Sequence, residues 1–159
     1  MGPVMGRREQ LKIIDAAAES PAQSQYRLDD QVGFLMRVAM QRHTAIFTTR
    51  MIDGLTQTQF AALAKLYDVG PCSQNHLGRL IYLDAATIKG VVDRLSARGL
   101  VTALNDPADR RRRAVELTER GRLVTEAAIE IAAEITAATL APLTAEEQRH
   151  VVKLLRMLG

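Results

Sequence analysis

The stretch DAATIKGVVDRLSARGLVTALNDPADRRRRAVELT, residues 84–118, decides the fold. Its first half begins with a helix-capping aspartate and places apolar residues at the spacing i, i+3, i+4 and i+7 before Gly99 ends the helix. Two short alternating segments follow at 100–104 and 113–117, on either side of an Asn-Asp-Pro turn. The stretch therefore predicts a helix followed directly by a β-hairpin, with four consecutive arginines at the hairpin tip.

Helical periodicity continues on both sides of this stretch. Predicted helices lie at 29–51, 56–69 and 73–82 before it and at 118–140 and 144–158 after it. The helix at 29–51 carries two apolar stripes, which is typical of a helix packed between two bodies. The predicted fold class is mainly α: a winged helix-turn-helix with a two-stranded β-wing, between N- and C-terminal helices.

The bulk composition excludes several classes of protein. The chain has 159 residues, 47% of them hydrophobic and 25% charged, and a net charge of +3. No apolar run reaches the roughly 18 residues that a membrane span needs. Cys72 is the only cysteine, so an internal disulfide is impossible, which fits a reducing compartment. We expect a cytoplasmic protein without membrane contact.

Motifs for catalysis and metal binding are missing from the sequence. It contains no Gly-rich phosphate loop, no zinc-helix motif and no nucleophile elbow. Its three histidines, His43, His76 and His150, lie on different predicted elements and lack the spacing of metal ligands. We therefore expect no enzyme, and neither a metal nor a cofactor.

One face of the helix after Asp84 has the composition of a DNA-reading surface. On a helical wheel drawn at about 100° per residue, four residues lie on the side opposite the core stripe: Ala86, Lys89, Gly90 and Asp93. Thr87 and Arg94 flank them. Small residues allow close approach to a major groove, and Lys or Arg meets phosphate or guanine there. Gly90 costs about 1 kcal/mol relative to alanine in mid-helix. Close approach to DNA and a tight helix crossing both explain this glycine.

The arginine run at 110–113 is the densest charge in the chain. Such a run is usually a solvated surface feature. On a hairpin directly after a recognition-type helix it favours DNA contact instead, because the minor groove concentrates negative potential and accepts a guanidinium.

Residues 30–158 resemble the MarR family of transcriptional regulators. The most specific segments are VVDRLSARGLV at 91–101 and DPADRRRRAVELTERG at 106–121, and LTQTQFAALAKL and LTAEEQRHVVKLLRML are similar to the family's second and last helices. The family's Asp-x-Arg wing signature falls on 109–111. The resemblance implies that Arg111 enters the minor groove, that Asp109 holds it by a charge-assisted pair, and that Arg112 or Arg113 meets phosphate. Ala103 and Leu104 depart from the family, which often has an arginine there.

The resemblance also implies a homodimer with interleaved first and last helices. It divides the chain into a tail or short helix at 1–28, a first dimerisation helix at 29–53, a winged helix-turn-helix DNA-binding lobe at 54–118 and C-terminal dimerisation helices at 119–159. The expected partner is double-stranded DNA. The expected function is that of a repressor, released from a pseudo-palindromic operator by a small molecule.

The helix at 29–51 offers a surface for that molecule. Helical spacing groups Arg37, Met40, Thr44 and Phe47 with Gly33, and His43 borders them. Met40 and Phe47 provide an adaptable apolar lining, while Arg37 and His43 suit a carboxylate, phenol or phosphate. The pattern LMRVAMQRHTAIF resembles a branch linked to aromatic-acid catabolism, whose effectors include aromatic acids or their CoA thioesters. A plain core stripe, with Arg37 paired to an acidic side chain of the partner, is the alternative.

Two other functions stay open. Peroxide-sensing members of the family use a cysteine near the start of the first helix, whereas Cys72 precedes the third helix, where we expect a small buried residue rather than a redox sensor. A ligand-independent architectural winged helix is the second alternative. Saturable release of DNA by a small molecule distinguishes a ligand sensor from it.

Overall fold

The structure, a computed structural model, describes residues 26–105 and 113–159. In chain order its helices and strands are α1 (Val32–Arg50), α2 (Gln57–Val69), β1 (Cys72–Ser73), α3 (Gln74–Leu80), α4 (Ala85–Ala97), β2 (Val101–Asn105), β3 (Arg113–Leu117), α5 (Glu119–Leu140) and α6 (Ala145–Leu158). Single 3-10 turns lie at Leu28–Asp30 and Ile52–Gly54. The predicted mainly helical class with a small β-wing is confirmed. A tail or short helix is expected at 1–28, and residues 1–25 of this segment lie outside the described residues.

The described residues divide into two compact units between Met40 and Gln41. The described part of the first unit consists of the 3-10 turn Leu28–Asp30 and the first half of α1. The Arg37 guanidinium carbon lies 5.1 Å from the centre of the Phe34 ring. This stretch leaves several apolar side chains at least half exposed: Val32, Leu35, Met36 and Met40.

A single apolar core holds the second unit together. Its six largest fully buried side chains come from four helices and from the residue just before β2: Leu63, Leu77, Ile88, Leu95, Leu100 and Ile135. Burial of each contributes about 2 kcal/mol relative to exposure. Because Ile88, Val91 and Leu95 all lie in this core, the predicted apolar stripe of α4 is confirmed.

The predicted helix caps are also confirmed. The Thr56 hydroxyl accepts a hydrogen bond from the Gln59 amide at 3.2 Å, and the Gln59 side chain accepts one from the Thr56 amide at 3.1 Å. Thr144 and Glu147 form a second capping box at the start of α6. Each box satisfies donors that a helix N-terminus otherwise leaves open.

The sheet has one strand more than the predicted hairpin. Its three antiparallel strands lie in the order β1-β3-β2. In the hairpin Val101 pairs with Leu117, and on the other side of β3 Cys72 pairs with Val115. The predicted two-stranded wing is confirmed as β2 and β3. The structure adds the short strand β1, which the sequence does not predict because two residues carry no recognisable periodicity.

Two glycines allow the closest approaches between these elements. A Cβ atom on Gly121 would lie 1.8 Å from the Leu100 carbonyl oxygen, so only glycine lets α5 begin against the start of the wing. A Cβ atom on Gly78 would lie 3.1 Å from both the Ile88 Cγ2 atom and the Leu83 carbonyl oxygen. Gly78 therefore sets the distance between α3 and α4.

Candidate nucleic-acid interface

The start of α4 is fixed by its capping aspartate. The Asp84 carboxylate accepts a hydrogen bond from the Thr87 amide at 2.8 Å and another from the Thr87 hydroxyl at 2.7 Å. These bonds from Thr87 lower the pKa of Asp84 below its ordinary value. Thr87 is thus held at the beginning of the face predicted to read DNA, with Ala86 exposed beside it.

The two cations of that face are exposed, and one of them, Lys89, is held in an ion pair. The Lys89 ammonium group lies 2.6 Å from the Asp93 carboxylate, one turn further along the helix, and both side chains are largely exposed. A Cβ atom on Gly90 would meet the Arg94 guanidinium, 3.3 Å from its Nη1 atom. The structure therefore places Ala86, Thr87, Lys89 and Arg94 together on one exposed surface, with the half-buried Gly90 between them.

Within the described part of the chain, no neighbouring helix requires a glycine at position 90. The three atoms nearest to an added Cβ all belong to the flexible side chain of Arg94. Of the two explanations for this glycine, a tight crossing with another described helix is therefore excluded. The open backbone at Gly90 fits close approach by an external partner.

The wing is described only at its base. Three of its predicted DNA contacts lie outside the described residues: Asp109, Arg111 and Arg112. Arg113 is the first residue of β3 and pairs with Asn105. On β2 the exposed side chains of Ala103 and Leu104 are uncharged, so the described part of this strand offers no cation at these two positions.

An arginine that the sequence analysis did not single out connects the end of α4 to the turn after α1. The Arg98 guanidinium lies 2.9 Å from the Asp53 carboxylate and donates to the Asp53 carbonyl oxygen as well. Asp53 has a left-handed backbone with φ 55°. Arg120 donates to the Arg98 carbonyl oxygen at 2.9 Å, which joins the start of α5 to the same point. No local periodicity reveals these contacts, because the partners are 45 and 22 residues apart.

A cavity of about 440 Å³ lies between the second half of α1 and the start of α2. Two of the five predicted ligand residues, Thr44 and Phe47, line it together with Met51 and Leu55. The Thr44 hydroxyl accepts a hydrogen bond from the Gln57 side chain at 3.2 Å. The cavity thus combines an apolar wall with polar groups that can orient a ligand.

The other predicted ligand residues are placed differently. His43 Nδ1 lies 2.9 Å from the Thr139 hydroxyl of α5, and its ring centre lies 6.3 Å from that of Phe47. Arg37 and Met40 precede them on α1, in the first unit. Arg42, which the sequence analysis did not single out, donates to the carbonyl oxygens of Ala138 and Thr139.

The described residues give little support for redox sensing, metal binding or a membrane span. Cys72 is half-buried in β1, and burial raises the pKa of its thiol, which disfavours the reactive thiolate. Residues 26–105 and 113–159 contain no group of three or more His, Cys, Asp or Glu side chains arranged to hold a metal ion. None of the helices in this part of the chain combines the length and apolarity of a membrane span.

The fold of this chain is similar to that of known transcriptional regulators. The model of the MarR family matches residues 55–112. The HTH-type transcriptional repressor NicR of Pseudomonas putida is 46% identical over 132 residues, which cover 82% of this chain and 84% of NicR. A probable transcriptional regulator from Pseudomonas aeruginosa has 51% identity and a TM-score of 0.81, over 84% of this chain and 100% of that one. BpsR of Bordetella bronchiseptica, whose DNA binding is regulated by 6-hydroxynicotinic acid, has 42% identity and a TM-score of 0.78, over 84% and 96% of the two chains. This chain therefore belongs to the MarR family of transcriptional regulators.

Proposed function

We propose that this protein is a cytoplasmic homodimeric repressor that binds a pseudo-palindromic duplex and is released from it by a small aromatic acid. The observation that carries the proposal is the surface of α4. Ile88, Val91 and Leu95 fix one side of this helix in the core, while small residues and two cations are exposed on the other side. The similarity to the repressor NicR supports the direction of regulation.

In this proposal α4 enters the major groove and the wing enters the adjacent minor groove. Ala86 and Gly90 allow the backbone to approach, and Thr87, Lys89 and Arg94 contact phosphates or bases. Arg111, oriented by Asp109, binds in the minor groove, where the negative potential is highest. Arg112 or Arg113 binds phosphate.

The dimer part of the proposal is supported by exposed apolar side chains on α6. More than half of the surface of Leu154, Leu155, Met157 and Leu158 is exposed. A contiguous apolar surface of this kind usually marks an interface with another protein. Two α4 helices in a symmetric dimer require half-sites about 10 bp apart. Selection of bound duplexes from a random library tests this spacing, and sedimentation of the free protein as a monomer at micromolar concentration contradicts the dimer.

Asp93→Asn is expected to strengthen DNA binding about two- to fivefold. The substitution releases Lys89 from its ion pair and removes a carboxylate that would face the phosphates. The affinity for a selected duplex, measured by fluorescence anisotropy at several salt concentrations, checks it. Asp68→Asn on α2 is the matched control, because Asp68 is also an exposed partner of a lysine and should leave the affinity unchanged. Unchanged or weaker binding by Asp93→Asn excludes Lys89 as a DNA contact.

The effector part of the proposal rests on the cavity lined by Thr44 and Phe47. Its size and mixed lining suit a monocyclic aromatic acid, whose ring would pack on Phe47 and Met51. The similarity to BpsR favours an acid of the hydroxynicotinic type over a CoA thioester. His43 borders Phe47 and is a candidate for the carboxylate. Arg37 and Met40 remain predictions from helical spacing.

A hundredfold excess of 6-hydroxynicotinic acid over its dissociation constant is expected to raise the melting temperature of the protein by about 5 °C. His43→Ala and Arg37→Ala should lose most of this shift, whereas Arg50→Ala, an exposed arginine at the end of α1, should keep it. Aromatic-acid CoA thioesters, tested in parallel, show which chemical form binds. Equal shifts in the wild type and in both variants mean that the ligand site lies elsewhere.

A further inference from the structure

The turn between α3 and α4 carries an aromatic residue where helices usually end with glycine. The Leu83 amide donates to the Gly78 carbonyl oxygen at 2.9 Å, and the Tyr82 amide donates to the Arg79 carbonyl oxygen at 3.3 Å. These two bonds form a Schellman motif, in which the residue at the position of Tyr82 takes a left-handed conformation. Tyr82 has φ 58°, a value that glycine adopts without strain and a bulky residue does not.

Two other described helices are followed by a glycine with positive φ. Gly70 after α2 has φ 77°, and Gly99 after α4 has φ 68°. A helix-turn-helix also often has glycine in its turn. Among the described residues Asp53 is the one other non-glycine residue with a positive φ, and its short polar side chain tolerates this conformation, so Tyr82 is the only bulky residue that adopts it.

Packing does not explain the exception. The Tyr82 side chain is 88% exposed, the highest value among the exposed large hydrophobic residues of the described chain. Its hydroxyl has no hydrogen-bond partner within residues 26–105 and 113–159. A strained conformation that gains neither burial nor a hydrogen bond within the described part of the chain indicates a role for this side chain in contact with a partner.

The surroundings of Tyr82 favour a polyanion as its partner. Arg79, one turn earlier on α3, is exposed, and its guanidinium lies 3.5 Å from His76 Nδ1, so α3 carries an exposed cation one turn before Tyr82. Tyr82 lies two residues before Asp84, the cap of α4. In helix-turn-helix proteins the first helix crosses the DNA backbone while the second lies in the groove, which brings their common turn close to phosphates.

We propose that Tyr82 is a DNA-contact residue whose hydroxyl donates a hydrogen bond to a backbone phosphate beside the groove that α4 enters. This inference rests on the proposed function and adds a residue to it. A phosphate contact of this kind positions the protein on the duplex and carries no direct sequence information.

The test compares Tyr82→Phe and Tyr82→Gly with the wild-type protein. Tyr82→Phe should bind a selected duplex about fivefold more weakly than the wild type, because it loses the hydroxyl. Tyr82→Gly should bind about tenfold more weakly, because it loses the whole contact. The losses should be similar on selected and random duplexes. The salt dependence should not change, since tyrosine is uncharged. Tyr82→Gly should nevertheless melt about 2 °C higher than the wild type, because glycine relieves the left-handed strain.

Opposite changes in stability and affinity separate a DNA contact from a structural role. Tyr67→Phe is the matched control, because the exposed Tyr67 donates its hydroxyl to Glu126, away from this turn, and should bind DNA normally. If Lys89→Ala weakens binding while both Tyr82 variants bind like the wild type, the inference is wrong and the proposed function stands. Dissociation of the dimer by Tyr82→Gly shows that Tyr82 contacts a second copy instead, which overturns the inference. A wild-type protein that binds no duplex overturns both proposals.

Discussion

Gly121→Ala is expected to destabilise the protein by about 3 kcal/mol and to lower its melting temperature by roughly 10 °C. An added Cβ atom would lie 1.8 Å from the Leu100 carbonyl oxygen, far inside van der Waals contact. Neither the start of α5 nor the Leu100 carbonyl group can move easily. The Leu100 side chain is fully buried, and its carbonyl oxygen also accepts the Thr118 amide at 3.1 Å. Relief of the clash therefore requires movement of α5 away from the base of the wing.

Gly90→Ala provides the matched control for this substitution. Both residues are helical glycines, but a Cβ atom on Gly90 meets only the mobile end of Arg94, at 3.3 Å. Its melting temperature should stay the same or rise, since alanine is the better helix former by about 1 kcal/mol. Thermal unfolding followed by circular dichroism measures both variants. Equal melting temperatures for Gly121→Ala and the wild type contradict the tight approach of α5 to Leu100.

Arg111→Ala is expected to weaken binding to a selected duplex by about 1–3 kcal/mol, or roughly 5- to 150-fold. The resemblance to the family assigns the minor-groove contact to this residue, and the neighbouring strand offers no cation at Ala103 or Leu104 that could replace it. Loss of the guanidinium leaves the groove without the cation that its narrow width favours.

Arg112, next to Arg111 in the wing, provides a comparison between loss of a phosphate contact and loss of a groove contact. Arg112→Ala should behave as the loss of a phosphate contact, with a similar effect on all sequences and a salt slope lower by about one. Arg149→Ala, an exposed arginine on α6, should bind DNA normally. Unchanged affinity of Arg111→Ala at physiological salt means that the Asp-x-Arg signature has been assigned to the wrong residues.

The elements that the sequence predicts correctly are those with local signals. The stripe of Ile88, Val91 and Leu95 and the capping box of Thr56 and Gln59 each depend on residues within two turns of one another. Hydrophobic periodicity and cap chemistry act at this range, so the helices of the described chain were predicted closely.

The features that the sequence does not predict depend on distant partners or on backbone angles. The pairing of Cys72 with Val115 and the ion pair of Arg98 with Asp53 join residues more than 40 positions apart. The sequence shows Gly121 only as a glycine in the first turn of a helix, and only the structure shows that it contacts Leu100. Tyr82 was predicted as the end of a helix, since no sequence pattern reveals its positive φ.

The direct test of ligand-controlled DNA binding is the affinity of the wild-type protein for a selected duplex, measured with increasing 6-hydroxynicotinic acid. A ligand weakens DNA binding only by favouring a dimer geometry whose α4 helices no longer fit two successive grooves. We predict a saturable fall in affinity of about 5- to 150-fold, with an equal weakening of acid binding by the duplex. Unchanged affinity for the duplex at a concentration of the acid that saturates the protein would contradict this account.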